Sequence, residues 1–328
     1  MKLSIFFLFV LLAACSLLPS KAQFWPLSEQ SQVGDQYMQI RLQGTLKLAK
    51  QKVDHLPILG LSGLAWDQDE EILYALSDRA VLYHIKISVI NNRLNNAEII
   101  HAVSLKNKKG KRLKHQYRDS EGLLVINSNN AKKGDSKLWI SFEGIEPRIL
   151  SYNPEGKPIE RMTLASPLND VNYHDGANKG LESLLLHPQY GFMTAPEVGL
   201  KNSKVGYHTL YTVDGKKQWY FAIPEIKNSA ITALEMLPNG NILVLERALS
   251  TFFHLTISLR ELDMNHCDAH SFCPVKPLAI FDNNEGWFID NFEGLTHYRD
   301  NLYFMVSDDN NQTLLQNTLL SLFEISRN

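Results

Sequence analysis

Several things are scarce in this chain, and each shortage closes off a class of protein. Only three of its 328 residues are cysteine, too few for a disulfide-rich scaffold. Lys plus Arg (33) and Asp plus Glu (35) nearly cancel to a formal charge of −2, so no general attraction to nucleic acid is expected. No stretch after Cys15 approaches the roughly 18 apolar residues that a membrane-crossing helix needs. No amphipathic helical period holds for three turns, which removes the helices that a parallel α/β sheet places between its strands. Common catalytic signatures are missing too: there is no HExxH, no Walker A loop and no GxGxxG, and GLSGL at 60–64 misses a GxSxG elbow by one residue. Cys273 lacks the arginine-bearing loop of cysteine phosphatases. His174-Asp175 in NYHDGANKG has the makings of a base and its orienter, but its turn-rich setting reads as a surface loop.

What is present is ordinary in bulk, 44% hydrophobic and 21% charged, and sufficient for a sizeable globular core. The locally basic run KNKKGKRLKH, Lys106 to His115, reads as a solvated loop tip rather than an anion-recruiting patch. At the N-terminus, Lys2 precedes an apolar run from Leu3 to Ala14, the size of a signal-peptide core. The run ends in Leu12-Ala13-Ala14-Cys15, which resembles a bacterial lipobox. Residues 1–14 are therefore expected to be removed and Cys15 lipidated, leaving 15–45 as a tether and the start of the first blade, and 46–328 as the folded domain. Ser16 lacks the acidic identity associated with inner-membrane retention, which favours an outer-membrane anchor in the periplasm. Cleavage after Ala22, giving a soluble periplasmic or secreted protein, is the alternative. With Cys15 so used, Cys267 and Cys273 are expected to form a short-range disulfide. A compact zinc site with His266 and His270 is the rival reading.

A repeat runs through the chain. Short apolar runs joined by polar turns recur as hairpins: Ser62 to Asp78, Glu121 to Glu143, Leu181 to Glu197, Leu234 to Glu246, and Glu293 to Asp308. Anchored at 62, 121, 182, 235 and 293, the steps are 59, 61, 53 and 58 residues. A period of that size made of strands predicts an all-β propeller of five to six blades, six favoured, with the two termini sharing one blade.

The acids bracket these hairpins. In an antiparallel pair the start of the first strand lies beside the end of the second. Glu121 with Glu143, Glu182 with Glu197, Glu235 with Glu246 and Glu293 with Asp308 therefore fall at open hairpin ends, joined by Asp78. If these are the inner strands, the ends ring one mouth of the central channel. Like charges gathered there raise one another's pKa or demand cations. Arg79, Arg148, Lys179 and Arg247 stand beside the acids in sequence, and calcium suits a loose oxygen-lined funnel. A network of strand-end caps and salt bridges is the plainer alternative.

The segments SGLAWD…LYALSDR, DSEGLLV, WISFEGIEPRIL, NKGLESLLLHP, ALEMLPNGNILVLER and IDNFEGL…VSDDN resemble, in order over residues 58–325, the bacterial family named for a phytase-like domain with esterase-like activity. The resemblance implies an exported β-propeller, related in architecture to propeller phytases that hold calcium in the central mouth and hydrolyse phosphate monoesters. By position, Glu121, Glu182, Glu235 and Glu293 take the place of the family's EG(L/I) acids, and Arg79, Arg148 and Arg247 that of its basic positions. Three departures stand out: Lys179 where the family has Arg, Ile145-Glu146 in place of a glycine-containing link, and Ser62 where an acid is expected.

These readings combine into a site expectation. Glu121, Glu143, Glu182, Glu235, Glu293 and Asp308 hold calcium, and Arg79, Arg148, Lys179 and Arg247 bind a small phosphorylated substrate. Glu121, Glu182, Glu293, Arg79 and Arg247 carry hydrolysis. The protein is expected to be a monomer, to touch the membrane only through its anchor, and to bind no nucleic acid. A non-catalytic, lipid-anchored scaffold or ligand-binding propeller, and more remotely a lactonase-like one, are the competing functions.

Overall fold

The computed structural model describes residues 21–176, 179–251, 254–310 and 316–326. The expected signal segment and the expected lipidation site at Cys15 lie outside them. Among the described residues there is no α-helix, only three short 3-10 turns and strands.

The strands form five four-stranded antiparallel blades. The first contains Leu61–Asp67, Ile72–Ser77, Val81–Ile90 and Arg93–Ser104. The second contains Ser120–Ile126, Lys137–Phe142, Arg148–Tyr152 and Pro158–Met162. The third contains Leu185–His187, Gly191–Thr194, Tyr207–Thr212 and Gln218–Ala222. The fourth contains Ser229–Met236, Ile242–Thr251, His254–Leu262 and Val275–Asp282. The fifth takes Asn291–Arg299, Leu302–Asp308 and Leu319–Ile325 from the C-terminal end, and its outermost core strand, Ile40–Lys47, from the N-terminal end. The termini do share a blade.

The blade number is five, not the favoured six. The residues that would make up a sixth go elsewhere: into two short strands that extend the fifth blade, Gln23–Phe24 and Gln36–Tyr37, and a separate two-stranded ribbon, Lys52–Val53 with Leu56–Pro57. The rest lies in long connections such as residues 263–274, which contain the Cys267–Cys273 loop.

Five apolar clusters hold the blades together, one at each blade-to-blade interface. Leu64, Leu73 and Tyr83 of the first blade meet Phe304, Leu320 and Leu322 of the fifth. Leu245, Ile257 and Phe281 of the fourth meet Phe292, Tyr303 and Phe323 of the fifth. The remaining interfaces repeat the arrangement. Both faces of each sheet are thus buried, which is why the strands read as near-continuous apolar runs rather than alternating ones.

Around the axis the inner strands approach backbone to backbone. A Cβ on Gly63 would lie 2.5 Å from the Glu121 carbonyl oxygen. One on Gly122 would lie 2.8 Å from the Leu184 amide nitrogen, and one on Gly294 3.1 Å from the Gly63 carbonyl carbon. Gly63, Gly122 and Gly294 therefore serve close packing between blades. The Cys267–Cys273 disulfide forms, and its loop hydrogen-bonds from the fourth blade to Tyr220 of the third through Ser271 O and the Cys273 amide.

Two outcomes are expected. Gly122→Ala lowers unfolding stability by about 1–3 kcal/mol through overpacking, measured by denaturant titration. Replacing Cys267 and Cys273 by Ser lowers it by about 2 kcal/mol under non-reducing conditions, the loop-closure value for so short a crosslink.

Candidate functional site: an acid ring at one mouth of the channel

Each inner strand carries an irregularity near its start. In the first, fourth and fifth blades one extra residue, Ser62, Thr232 or Glu293, interrupts the register with the second strand. In the second blade the shift spans Glu121-Gly122. In the third, the Leu181–Pro196 bridge and the Leu185–Met193 pair leave Glu182 in the same place. A β-bulge re-aims the side chain it inserts. Here the inserted positions are Ser62, Glu121, Glu182, Thr232 and Glu293.

The register assigns their neighbours on the second strands. Ser77, Phe142, Pro196, Glu246 and Ser307 lie opposite the residue before each inserted position. One step further along stand Asp78, Glu143, Glu197, Arg247 and Asp308. The ring at this mouth is thus built from Glu121, Glu182, Glu293, Asp78, Glu143, Glu197 and Asp308, with Ser62, Thr232 and Arg247 completing it. Where no acid stands, hydroxyls stitch the blades: Ser62 Oγ donates to the Ser120 carbonyl at 2.9 Å, and Thr232 Oγ1 to that of Phe292 at 3.3 Å.

Glu121, Glu143, Glu197, Glu293 and Asp308 are buried, Asp78, Asp119 and Glu182 half-buried, and the groups are close. One oxygen each from Asp119, Glu121 and Glu143 lie within 4.8 Å of one another. Glu143 Oε1 also accepts the Gly180 amide, and Asn291 Nδ2 donates to Glu293 Oε1 at 2.7 Å. Burial, followed by Glu143, Glu293, Asp119 and Asp78, holds Glu121 protonated well above the carboxylate range. Burial, followed by Glu143 and Glu121, does the same for Glu182. Burial and Asp119 push Glu143 up to about 8, and burial and Glu293 push Asp308 up to about 8. Arg247 sits between two acids, with Nη2 3.0 Å from Glu197 Oε1 and Nε 3.5 Å from Glu293 Oε1. Burial works against its charge, yet Glu293, Glu197, Glu182 and Asp308 hold it firmly cationic.

The family model described as "Phytase-like: Esterase-like activity of phytase" matches residues 56–311. The chain belongs to this phytase-like family. A comparison with curated proteins found no match. Among solved structures, a Bacteroides caccae protein of unknown function is similar at 9% identity and TM-score 0.40, covering 75% of this chain and 70% of that one. A gluconolactonase from Xanthomonas campestris is similar at 11% identity and TM-score 0.37, covering 92% of this chain and 95% of that one.

Of the residues expected at the site of this phytase-like chain, the ring brings together Glu121, Glu143, Glu182, Glu293, Asp308 and Arg247. Arg79 lies exposed at its edge, its Nε 3.9 Å from Asp78 Oδ1. Lys179 is half-buried beside Gly180, whose amide Glu143 holds. Glu235 does not join. It stands three residues past the inserted Thr232, paired with Leu243 near the opposite end of the hairpin. There it accepts the Met236 and His297 amides at 2.8 and 3.0 Å, at the other mouth of the channel. Glu246 does not join either. One residue short of the ring, it is fully buried between the third and fourth blades, 2.8 Å from Arg260 Nη1 and 3.0 Å from His208 Nε2. Arg148 is also turned away: its guanidinium lies over the Phe142 ring and donates to the carbonyls of Glu146 and Tyr117. His174, expected on the surface, is buried, with Nε2 3.2 Å from the Leu168 carbonyl oxygen.

Asp119 is the site residue that the sequence reading passed over. Its signal was available in Asp119-Ser120-Glu121-Gly122, where two acids flank a strand start.

The raised carboxyls fix a sign for pH dependence. Between roughly pH 4 and pH 8 the folded ring binds more protons than the unfolded chain, so stability is present at the acid end and is lost as pH rises through about 8. With a chelator present, the melting temperature is expected to fall steadily from about pH 5 to about pH 8. Millimolar calcium is expected to flatten that slope, since a bound cation replaces the protons. Differential scanning calorimetry across the range checks both.

Proposed function

We propose that this mouth binds a hard divalent cation, calcium fitting best, and hydrolyses phosphate esters. The observation that carries the reading is the convergence of Asp119, Glu121 and Glu143 oxygens within 4.8 Å, beside a ring in which one embedded arginine pairs only Glu197 and Glu293. The donor set fits such a group. It is all-oxygen, the oxygens come from the open end of the second blade's inner hairpin, with Asp119 and Glu121 at the start of one strand and Glu143 just past the end of its partner, and the ring holds its carboxyls protonated, so it accepts further positive charge. A cation bound by Asp119, Glu121 and Glu143 would polarise a phosphoryl oxygen and lower the pKa of an attacking water.

The chain's own residues do the rest. Arg79, exposed at the edge, presents a guanidinium toward incoming phosphoryl oxygens. Arg247 keeps Glu197 and Glu293 compensated, so the ring does not repel an anionic substrate at full strength. Glu182, beside Glu143, would lose to a bound cation the proton it holds in the cation-free ring, and its carboxylate would then be placed to take a proton from the attacking water. Lys179 adds a second cation along the approach.

A ligand-holding propeller without turnover is the second reading, favoured by one observation: Arg148 is spent on carbonyls rather than aimed at the ring. Export of the protein, anchored through Cys15, is part of the proposal; the Cys267–Cys273 disulfide supports an oxidising compartment.

The purified protein is expected to release phosphate from p-nitrophenyl phosphate or inositol phosphates only when calcium is supplied. Glu121→Gln should lower the rate on the order of 100-fold, whereas Glu235→Gln should leave it unchanged. No calcium-dependent release, with calcium still raising the melting temperature, would transfer the assignment to the ligand-holding reading.

A further inference from the structure

We propose that Ser250, His254 and Asp282, at the corner of the fourth blade, form a second reactive centre: an acyl-transfer site for small, activated carboxylic esters. His254 Nδ1 lies 2.7 Å from Ser250 Oγ, and His254 Nε2 lies 2.8 Å from Asp282 Oδ2. The three groups stand in one hydrogen-bonded line.

The protonation pattern of that line follows from its far end. Asp282 accepts from His254, from the Asn284 amide at 2.8 Å and from Thr256 Oγ1 at 3.3 Å. A carboxylate so supplied with donors stays ionised and takes an N–H from the imidazole. The neutral ring therefore carries its proton on Nε2 and leaves a lone pair on Nδ1. Ser250 is left to donate its hydroxyl proton to that lone pair. The imidazole is reversed relative to the commoner arrangement, but the requirement is only that one ring nitrogen donates to the acid while the other accepts from the nucleophile.

The backbone holds the three groups in place. Ser250 is the extra residue where the pairing of Ile242–Thr251 with His254–Leu262 slips, between Leu249 and Thr251. Both flanks are pinned, by Asn228 Nδ2 on the Leu249 carbonyl at 3.1 Å and by Asn283 Oδ1 on the Leu255 amide at 3.1 Å. The side chains of His254 and Asp282 are 31% and 20% exposed, so a reagent reaches them from solvent. Sequence motifs miss the site because the GxSxG elbow belongs to one fold, whereas this geometry comes from a hairpin. Ser250 lies three residues beyond Arg247, about 10 Å along the strand from the acid ring.

In the reaction, Ser250 Oγ forms a bond to the ester carbonyl carbon as its proton passes to His254 Nδ1. Collapse breaks the carbonyl carbon's bond to the alkoxy oxygen, which takes the proton from Nδ1 and leaves as the alcohol. Water then adds to the acyl-Ser250 ester by the same proton path, returning the free serine and a carboxylic acid.

The test uses full-length protein with a chelator present, so that loss of cation-dependent phosphoester turnover has no bearing on the result. A fluorophosphonate probe followed by peptide mass mapping is expected to label Ser250, with p-nitrophenyl acetate hydrolysed in parallel. Ser250→Ala should abolish both signals, and His254→Ala should lower the labelling rate by at least about 100-fold while the melting temperature holds. As a check that does not depend on acyl chemistry, Ser250→Cys should react with iodoacetamide at least about tenfold faster when His254 is present than when it is Ala. An unlabelled Ser250, or labelling and alkylation that ignore His254, would overturn the proposal.

Discussion

The tight approach of five inner strands around one axis is the constraint on which the rest of this molecule depends. Gly63, Gly122 and Gly294 sit where neighbouring backbones leave no room for a side chain. The inserted residue just before each glycine has nowhere to point except into the mouth. Acids separated by some sixty positions along the chain are therefore delivered to one small opening by packing, before any attraction or repulsion between them enters. The apolar clusters between blades then fix the spacing, because displacing one inner strand would disturb two interfaces at once.

The electrostatic consequence is unusual for a folded interior. Buried carboxyls of one sign are gathered with one embedded guanidinium, and the fourth blade is where the repeat breaks to provide it: Thr232 and Arg247 occupy positions that are acidic in the second, third and fifth blades. Arg247 spans Glu197 and Glu293, so it neutralises members of the third and fifth blades from the one between them. Other charges are kept apart from the ring. Glu246 is matched with Arg260, whose Nη2 also donates to the Ala222 carbonyl of the third blade at 2.6 Å, while His208 Nε2 of that blade lies 3.0 Å from the Glu246 carboxylate. A buried charge fully matched in this way contributes to register between sheets, whereas the unmatched acids of the ring store the capacity to bind.

Much of this was readable from the residues alone. The hairpin repeat, the strand-only character, the shared terminal blade and the Cys267–Cys273 pairing all followed from spacing and composition. The family resemblance rested on segments that the fold places at the blade starts. What the residues could not convey was register. A bulge adds one residue to a strand without any compositional mark, so Leu234-Glu235-Met236 resembled the acid-bearing motif while Thr232-Ala233-Leu234 was its true counterpart. The same offset made Glu246 look like the partner of Asp308 when Arg247 holds that place. Arg148 was misread for a related reason: its position beside Glu143 says nothing of the third strand on which it lies, where Phe142 and two carbonyls capture it. The period was overdivided because extensions of the fifth blade and long connections consume residues without making a sheet.

Closure of the circle by Ile40–Lys47 carries a consequence for biogenesis. That strand pairs with Leu319–Ile325, so its hydrogen-bonding partner is synthesised only after the other four blades. Until then it presents an unpaired edge, and the interface between the fifth and first blades lacks one wall. Four blades can assemble in the order of translation while the ring stays open, and the final seam joins only once Leu319–Ile325 has emerged. A truncation before Leu319 would accordingly leave two ragged edges rather than a smaller wheel.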